Sequence, residues 1–325
     1  MPSLSEFELI RRYFTHRTLR TTLGVGDDAA LVRPASGMEL AISADMLVEG
    51  RHFRPRADPA LLGHKSLAVN LSDMAAMGAR PRWATLALAL PRADARWLEA
   101  FAGGFMKLAR AHRVDLVGGD TTRGPLTICV QIMGEVKRGQ ALRRDAAKAG
   151  DDIWVSGELG AAALAVAAAE GRIKLPRGEL RVLEQRLHAP TPRVSLGLAL
   201  AGVARSAIDI SDGLLADLGH VCERSALAAV IEWEALPATP FVRAQAQHSD
   251  AAVRALLAGG DDYELCFTAP RARRARVLAA AKRARTGVAL IGRIAKRERG
   301  QPLVQVLDSV GRPFPVRWKG YDHFG

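Results

Sequence analysis

Aspartates follow glycines directly at four places in the chain, in GVGDDAALV (24–32), VGGDTTRG (117–124), AGDDIWV (149–155) and AGGDDYELCF (258–267). Four more stand among apolar residues, at Asp45, Asp73, Asp209 and Asp212. Glycine lets a backbone approach a phosphate closely, and Mg²⁺ combines a few carboxylates with phosphate oxygens and water. The pattern therefore predicts a magnesium–nucleotide site rather than a calcium or structural zinc site.

A structural interpretation competes for each of these acids, because glycine and aspartate also favour ordinary turns. We interpret AGDDIWV as a turn at the entry to a second domain. In AIDISDGLLADLGH (207–220), Asp217 is interpreted as a helix-surface or capping residue. Asp73 stands on a mainly apolar helix, where an unpaired carboxylate is costly, which favours a functional role.

The familiar phosphate-binding and catalytic motifs are missing from the sequence. There is no G-x-x-x-x-G-K-[ST] loop, and GVGDDA lacks the third glycine of the dinucleotide fingerprint. Neither the protein-kinase motifs nor a nucleophile elbow is present. An enzyme acting on phosphates here needs another architecture, and no convincing pair of a nucleophile and a base stands out in the sequence.

The elements that must position these acids alternate between strand-like and helical runs in both halves. In the first half we predict strands at MELAISADM, WATLALAL and LTICVQIMGEV, and helices at DPALLGHKSLAVNLSDMAAMG and along the stripe that contains Phe101 and Phe105. In the second half we predict helices within 178–204, a strand near 228–233 followed directly by the strand YELCFT, then a basic helix and the strand GVALIGRI. The charged stretch RRDAAKAGDD (143–152) precedes a fresh strand, IWVSG, so we place the domain boundary there, giving domains 1–147 and 148–325. The order of elements predicts an α+β protein of two α/β domains rather than a regular parallel βαβ array.

Composition narrows the class of protein. The 325 residues are 49% hydrophobic, and the net charge is +12, of which residues 271–299 supply +10 through eleven Lys or Arg against one Glu. We interpret this basic segment as a solvated helix face, with nucleic-acid binding as the alternative. No stretch reaches the ~20 apolar residues of a membrane span. Three scattered cysteines and the lack of a secretory pattern favour the cytoplasm.

Several motifs taken together resemble the thiamine-monophosphate kinase family, in the superfamily of aminoimidazole ribonucleotide synthetase and selenophosphate synthetase. They are GVGDDAAL, AISADMLVEGRHF, KSLAVNLSDMAAMGARP, LVGGDTTRGPL, SAIDISDGLLADLGH, GGDDYELCFT and WKGYDHF, in chain order. The resemblance implies a PurM-like fold whose N-terminal domains pair into a homodimer through a shared β-barrel. It also implies ATP-dependent phosphorylation of thiamine monophosphate to thiamine diphosphate.

The resemblance also implies the roles of individual residues. The expected magnesium ligands are Asp28, Ser43, Asp45, Asp73, Asp120, Asp209 and Asp212. The expected ATP contacts are Gly119, Asp120, Arg144 and Ser211, and the expected substrate contacts are His52, Asp261 and Trp318, with Tyr321 beside the last. Two positions depart from the family pattern: Ala44 replaces a frequent Thr, and Asp261 is shorter than the usual Glu.

A sister activity in the same superfamily, acting on a different small acceptor, is the nearest alternative. Selenophosphate synthetases usually carry a Cys or selenocysteine near the N-terminus, whereas the first cysteine here is Cys129. The hydrogenase-maturation relative ends in a C-terminal cysteine, whereas this chain ends in HFG. Both differences favour the thiamine-monophosphate kinase interpretation.

Overall fold

The computed structural model describes residues 6–318 and Gly320, and the chain forms two compact units. The first unit contains the chain up to Met74 together with Ala79–Gly139. The second contains Ala75–Gly78 and the chain from Gln140 onward. Each unit has its own sheet and its own apolar core.

A four-stranded sheet with the order β3-β6-β4-β5 is the centre of the first unit. Strand β6 is antiparallel to both β3 and β4, whereas β4 and β5 are parallel, so β3, β4 and β5 all run in one direction. Its elements are α1 (Glu6–Leu9) with a π-helical turn (Ile10–Phe14), β1 (Thr21–Leu23), β2 (Leu31–Val32), β3 (Met38–Val48), α2 (Pro59–Ala76), β4 (Arg80–Leu90), α3 (Ala95–His112), β5 (Asp115–Arg123) and β6 (Thr127–Lys137).

The two long helices of the first unit form as the apolar spacing predicts. Asp94 caps α3 by accepting the backbone N–H groups of Arg96 and Trp97, which would otherwise lack partners. Along α3 the apolar stripe includes Phe101 and Phe105, both fully buried. Helix α2 is buried along most of its length, including the polar side chains of Ser66, Asn70 and Ser72, whereas Asp73 is half-buried.

The second unit has a six-stranded mixed sheet of order β12-β9-β11-β7-β10-β8, in which only the β12–β9 pair is parallel. The α+β prediction is confirmed. Its elements are a 3₁₀ turn (Arg144–Ala146), β7 (Asp152–Ser156), α4 (Ala161–Ala169), α5 (Arg177–His188), α6 (Val194–Leu200), β8 (Ser206–Asp209), α7 (Leu214–Arg224), β9 (Leu227–Glu232), a 3₁₀ turn (Trp233–Ala235), α8 (Pro240–Ala246), α9 (Asp250–Ala258), β10 (Leu265–Ala269), a 3₁₀ turn (Arg271–Arg273), α10 (Arg274–Ala284), β11 (Val288–Lys296) and β12 (Val304–Leu307).

The basic segment contributes to the packing of the second unit. Arg274 Nε and Nη2 donate to the Asp152 carboxylate at 2.6 and 2.8 Å, and Arg273 Nη1 donates to the Val203 carbonyl at 3.0 Å. Asp151 accepts the Lys148 N–H at 3.0 Å and the Arg205 Nε–H at 3.2 Å. The structural interpretation of the aspartates in AGDDIWV is therefore confirmed.

Within residues 6–318 and Gly320, no helix combines the length and the apolar character that a membrane crossing requires. Cys129, Cys222 and Cys266 are all free thiols.

Candidate functional site

One cluster of predicted ligands lies where strand β3 faces helix α2. Ser43 Oγ donates a 2.6 Å hydrogen bond to Asp73 Oδ2, which joins the middle of β3 to the C-terminal half of α2. Asp45 is two residues beyond Ser43, so the pleat directs its side chain to the same face of the sheet. The structure thus joins Ser43 to Asp73 and places Asp45 on the same face of the sheet.

Asp45 also lies level with the glycine-rich part of strand β5. It pairs with Val130, which pairs with Leu86, which pairs with Gly119, so the four residues form one row across the sheet. Asp120 lies in the next row, opposite Ala87. Because β3 and β5 are the outer strands, three strand spacings of ~4.8 Å separate them, roughly 14 Å in all.

The backbone at position 119, directly before Asp120, can accommodate only a glycine. Its φ is +146°, and a Cβ there would meet the Leu86 carbonyl oxygen at 1.9 Å. Only a residue without a side chain fits this close approach of two backbones. Both Gly119 and Asp120 are exposed on the edge strand, where a ligand can reach them.

The two remaining predicted residues of the first unit lie in connecting segments. Asp28 is exposed in the turn between β1 and β2, where its N–H donates to Asp27 Oδ1 at 3.0 Å. His52 follows β3, and its Nδ1 accepts the Val48 N–H at 3.0 Å. A neutral ring held in this way carries its proton on Nε2, so that nitrogen is a hydrogen-bond donor.

In the second unit the predicted ligands surround the turn from β8 to α7. Asp209 ends the buried strand β8, and Ser211, Asp212 and Gly213 lead into the helix. Asp217, which is 3% exposed, accepts the backbone N–H groups of residues 211, 212 and 213 through one oxygen, Oδ2, at 3.0–3.1 Å. The surface interpretation of Asp217 is therefore wrong: the residue is buried and binds the turn that precedes α7 rather than the first N–H groups inside the helix.

The charge state of Asp217 depends on its neighbours. Burial, followed by the negative charges of Asp209 and Asp212, raises its pKa to about 8, while N–H groups of residues 212 and 213 act in the opposite direction. Because Asp217 with this pKa holds its proton for most of the time near neutral pH, the negative charge at the turn lies on Asp209 and Asp212. A cation bound there would relieve the repulsion between them.

The segment GGDDYEL runs beside this turn. The N–H of Asp261 donates to the Ser211 carbonyl at 2.9 Å, and the N–H of Tyr263 donates to the Ile210 carbonyl at 2.8 Å. Asp261 and Tyr263 both have positive φ, +67° and +51°, which is costly for residues with side chains. Tyr263 Oη donates to Asp261 Oδ1 at 3.2 Å.

The alternate residues of the same segment anchor it to the unit. Asp262 accepts the Gly160 N–H at the start of α4, and desolvation raises the pKa of this carboxyl well above its usual value. Glu264, 2% exposed, accepts Ser156 Oγ at 2.5 Å and forms a two-point ion pair with Arg193, including an Nε contact of 2.6 Å. These contacts leave Asp261 at the rim of a pocket that Thr191 and Arg193 also line.

The last two predicted residues belong to the second unit. Arg144 is exposed, and its carbonyl accepts Ser225 Oγ at the C-terminal end of α7. Trp318 packs half-buried against the core. Gly320 lies at the N-terminal end of α7, where a Cβ on it would be 3.0 Å from the Asp212 carbonyl oxygen. Tyr321 lies outside the described residues.

The donor set suits magnesium. Carboxylate and hydroxyl oxygens are the hard ligands it prefers, and it keeps several waters and phosphate oxygens instead of a full protein cage. Among residues 6–318 and Gly320, no group of three or more His, Cys, Asp or Glu is arranged to hold a metal ion. A magnesium ion held by one or two of these acids and by phosphates is compatible with this arrangement.

Sequence reasoning missed two contributors to the geometry. Tyr263 and Glu264 follow the glycine–aspartate motif, but their roles depend on the backbone conformation and on Arg193, which is distant in sequence. The signal that could have identified Glu264 is its position beside an apolar run, because a buried glutamate requires a cation or a hydrogen-bond donor as its partner.

Comparison with known proteins identifies the family of both domains. Residues 26–136 match the family model for the N-terminal domain of AIR synthase related protein, and residues 148–305 match the model for its C-terminal domain. A thiamine-monophosphate kinase from Salmonella typhimurium is 44% identical over 98% of both chains.

Solved structures show the same relationship. A thiamine-monophosphate kinase from Stenotrophomonas maltophilia is 48% identical, with a TM-score of 0.81 over 88% of this chain and 90% of that one. AaThiL complexed with AMPPCP and TMP is 30% identical, with a TM-score of 0.75 over 90% of this chain and 89% of that one. The full-length similarity and the shared fold together establish that this chain belongs to the thiamine-monophosphate kinase family.

Proposed function

We propose that this protein transfers the γ-phosphoryl group of ATP to thiamine monophosphate, forming thiamine diphosphate and releasing ADP. The observation that carries the proposal is 44% identity to a thiamine-monophosphate kinase over 98% of both chains. The geometry supports it, because hard oxygen donors and closely packed glycine turns suit a magnesium-assisted phosphoryl transfer.

The chemistry of the acceptor explains why no general base is needed. The second pKa of a phosphate monoester is ~6, so the attacking oxygen is mostly ionised near neutral pH. The obstacle is the repulsion between two anions that must align for an in-line transfer. Magnesium supplies charge neutralisation of these phosphates when it is bound.

The chain's own residues hold and orient the reactants in this proposal. Ser43 fixes the orientation of Asp73 through its hydroxyl, and its oxygen lone pairs remain able to face a cation. We propose magnesium binding by Asp28, Ser43, Asp45, Asp73, Asp120, Asp209 and Asp212, and ATP contacts from Gly119, Asp120, Arg144 and Ser211. Arg144 would donate two parallel hydrogen bonds to a phosphate.

Substrate recognition is proposed for His52, Asp261 and Trp318. The Nε2–H of His52 is a donor suited to a phosphate, and Asp261 is an acceptor suited to an aminopyrimidine. Trp318 offers an aromatic face to a cationic thiazolium ring, which a cation–π contact favours. Asp261 reaches less far than glutamate would, and Tyr263 holds its carboxylate in one orientation.

We also propose that the protein is a cytoplasmic homodimer, with functional domains 1–147 and 148–325. Strand β3 exposes Ile42 and Met46 by 57% and 54%, on the face of the sheet away from Asp45. Large apolar side chains exposed in a row suit contact with a second copy. The sheet of one chain is open, so a shared barrel requires the partner's strands.

A coupled assay of ADP release tests the activity. Thiamine monophosphate is offered with ATP and Mg²⁺, beside thiamine, a nucleoside monophosphate and a sugar phosphate. Of these four acceptors, we expect only thiamine monophosphate to cause ADP release. The reaction should also yield a product with the mass of thiamine diphosphate. Equal release with an unrelated phosphate, or none with thiamine monophosphate, would contradict the proposed function.

A further inference from the structure

The turn between β8 and α7 is held by an acid that was assigned no functional role. Asp217 lies in the first turn of α7, and its Oδ2 accepts the N–H groups of Ser211, Asp212 and Gly213 at 3.1, 3.1 and 3.0 Å. Its side chain is almost fully buried. All three donors belong to the residues that immediately precede the helix.

The three donors precede the helix, so they differ from the N–H groups of residues 214–216, which a capping side chain would bind at the start of α7. The residue at the capping position is Gly213, which has no side chain. Asp217, from one turn inside the helix, therefore binds the turn before α7 and holds the backbone of residues 211–213.

The other side of the turn is held by backbone contacts. A Cβ at Gly260 would meet the Ser211 carbonyl oxygen at 2.2 Å, so the two segments are as close as backbones allow. The same carbonyl accepts the Asp261 N–H at 2.9 Å. With both sides of the backbone engaged, the side chains of Ser211 and Asp212 are the groups that this turn can offer to a ligand.

We infer that Asp217 is a positioning residue of the phosphoryl-transfer reaction: by binding three backbone N–H groups, it fixes the directions in which Ser211 and Asp212 present their side chains to Mg²⁺ and ATP. This inference rests on the proposed function for the identity of the ligands. Asp217 itself touches neither substrate, because its accepting oxygen is turned toward the protein backbone.

Asp217→Asn is the test variant, because asparagine keeps the size of the side chain and replaces the carboxyl group that accepts three N–H groups with an amide, which offers a single acceptor oxygen and adds an NH₂ donor. Asp151→Asn is the matched control in the same unit. Asp151 is also 3% exposed and accepts a backbone N–H, from Lys148, but it lies outside the β8–α7 turn. Hydrogen exchange of the amides of residues 211–213 is measured without ligand, and binding of AMPPCP with Mg²⁺ is measured by calorimetry.

We expect the wild-type amides of residues 211–213 to exchange slowly and those of Asp217→Asn to exchange about tenfold faster or more. We expect AMPPCP affinity to fall by a similar factor, and Asp151→Asn to match wild type in both measurements. Fast exchange of these amides in wild-type protein would overturn the inference even if the variant does not fold. Wild-type AMPPCP affinity in a folded Asp217→Asn variant would also overturn it.

The same experiment separates this inference from the proposed function. If wild-type protein releases no ADP with thiamine monophosphate, the proposed acceptor is wrong. The exchange and AMPPCP measurements still test whether Asp217 orients the turn, because neither needs an acceptor.

Discussion

Ser43 Oγ donates a 2.6 Å hydrogen bond to Asp73 Oδ2, so a strand residue fixes the orientation of a helix carboxylate. The contact joins two residues that are thirty positions apart in the sequence. In the proposed mechanism Asp73 binds magnesium. The hydrogen bond from Ser43 already restricts the rotation of the Asp73 carboxylate, so less conformational entropy is lost when the ion binds.

Ser43→Ala tests this contact. We expect the Mg²⁺ concentration for half-maximal ADP release to rise about tenfold, because one hydrogen bond to a charged group is lost. The melting temperature should change little. Ser66→Ala is the control, since Ser66 Oγ donates only to the Gly63 carbonyl within the same helix. An unchanged Mg²⁺ dependence in Ser43→Ala would count against the role of the serine.

Asp45→Asn and Asp120→Asn should each lower kcat on the order of 10²-fold or more, because each removes charge that neutralisation of the phosphates requires. Circular dichroism should show an intact fold. Asp94→Asn, which changes an exposed helix cap in the same unit, should retain activity. Near-normal turnover in either variant, or activity that survives excess chelator, would contradict the magnesium proposal.

Tyr263→Phe should raise KM for thiamine monophosphate several-fold while kcat and KM for ATP stay close to wild type. The change removes the hydroxyl that donates to Asp261 Oδ1 at 3.2 Å and leaves the ring in place. Steady-state kinetics with each substrate varied in turn measures the effect. Tyr13→Phe, in the first unit, is the control. An equal rise in KM for both substrates would show that Tyr263 does not act through Asp261.

Arg193→Met should lower the free energy of unfolding by about 3–5 kcal/mol, because Glu264 then becomes a buried carboxylate without its cation. Denaturant unfolding followed by circular dichroism measures the change. The exposed pair of Arg172 and Glu170 provides the control, since Arg172→Met should cost less than about 1 kcal/mol. Equal costs in the two variants would mean that burial of the ion pair is unimportant.

Ile42→Lys should convert a dimer to a monomer, because a charge would enter the centre of the proposed contact face. Light scattering coupled to size-exclusion chromatography measures the mass. Leu278→Lys is the control, because Leu278 is similarly exposed, by 53%, on α10 of the second unit. A wild-type protein that is monomeric at assay concentration would exclude the dimer directly.

Sequence patterns were most informative where a feature depends on neighbouring residues. The stripe of Phe101 and Phe105 correctly predicted α3, and apolar runs predicted β3, β4 and β6. Helices α8 and α9 were missed, since both are short and follow a turn-rich stretch. Their boundaries depend on packing against other segments, which local patterns do not contain.

The site shows the same division. Asp45 and Asp73 stand out in the sequence because carboxylates are rare on buried elements. The hydrogen bond from Ser43 to Asp73 could not be predicted, because it depends on how β3 is placed against α2. The burial of Asp217 could not be predicted either, because it depends on the fold of the turn that this residue binds. Charge in an apolar context identifies which residues matter, whereas the backbone path decides which of them meet.

The tight packing of Gly260 on Ser211 has a practical meaning for enzyme engineering. Any larger residue at 260 would have to push the neighbouring loop outward, and both catalytic competence and protein yield would suffer together. A combinatorial library aimed at new vitamin analogues should therefore keep position 260 invariant and restrict position 261 to aspartate, asparagine and glycine, because its positive φ disfavours most other side chains.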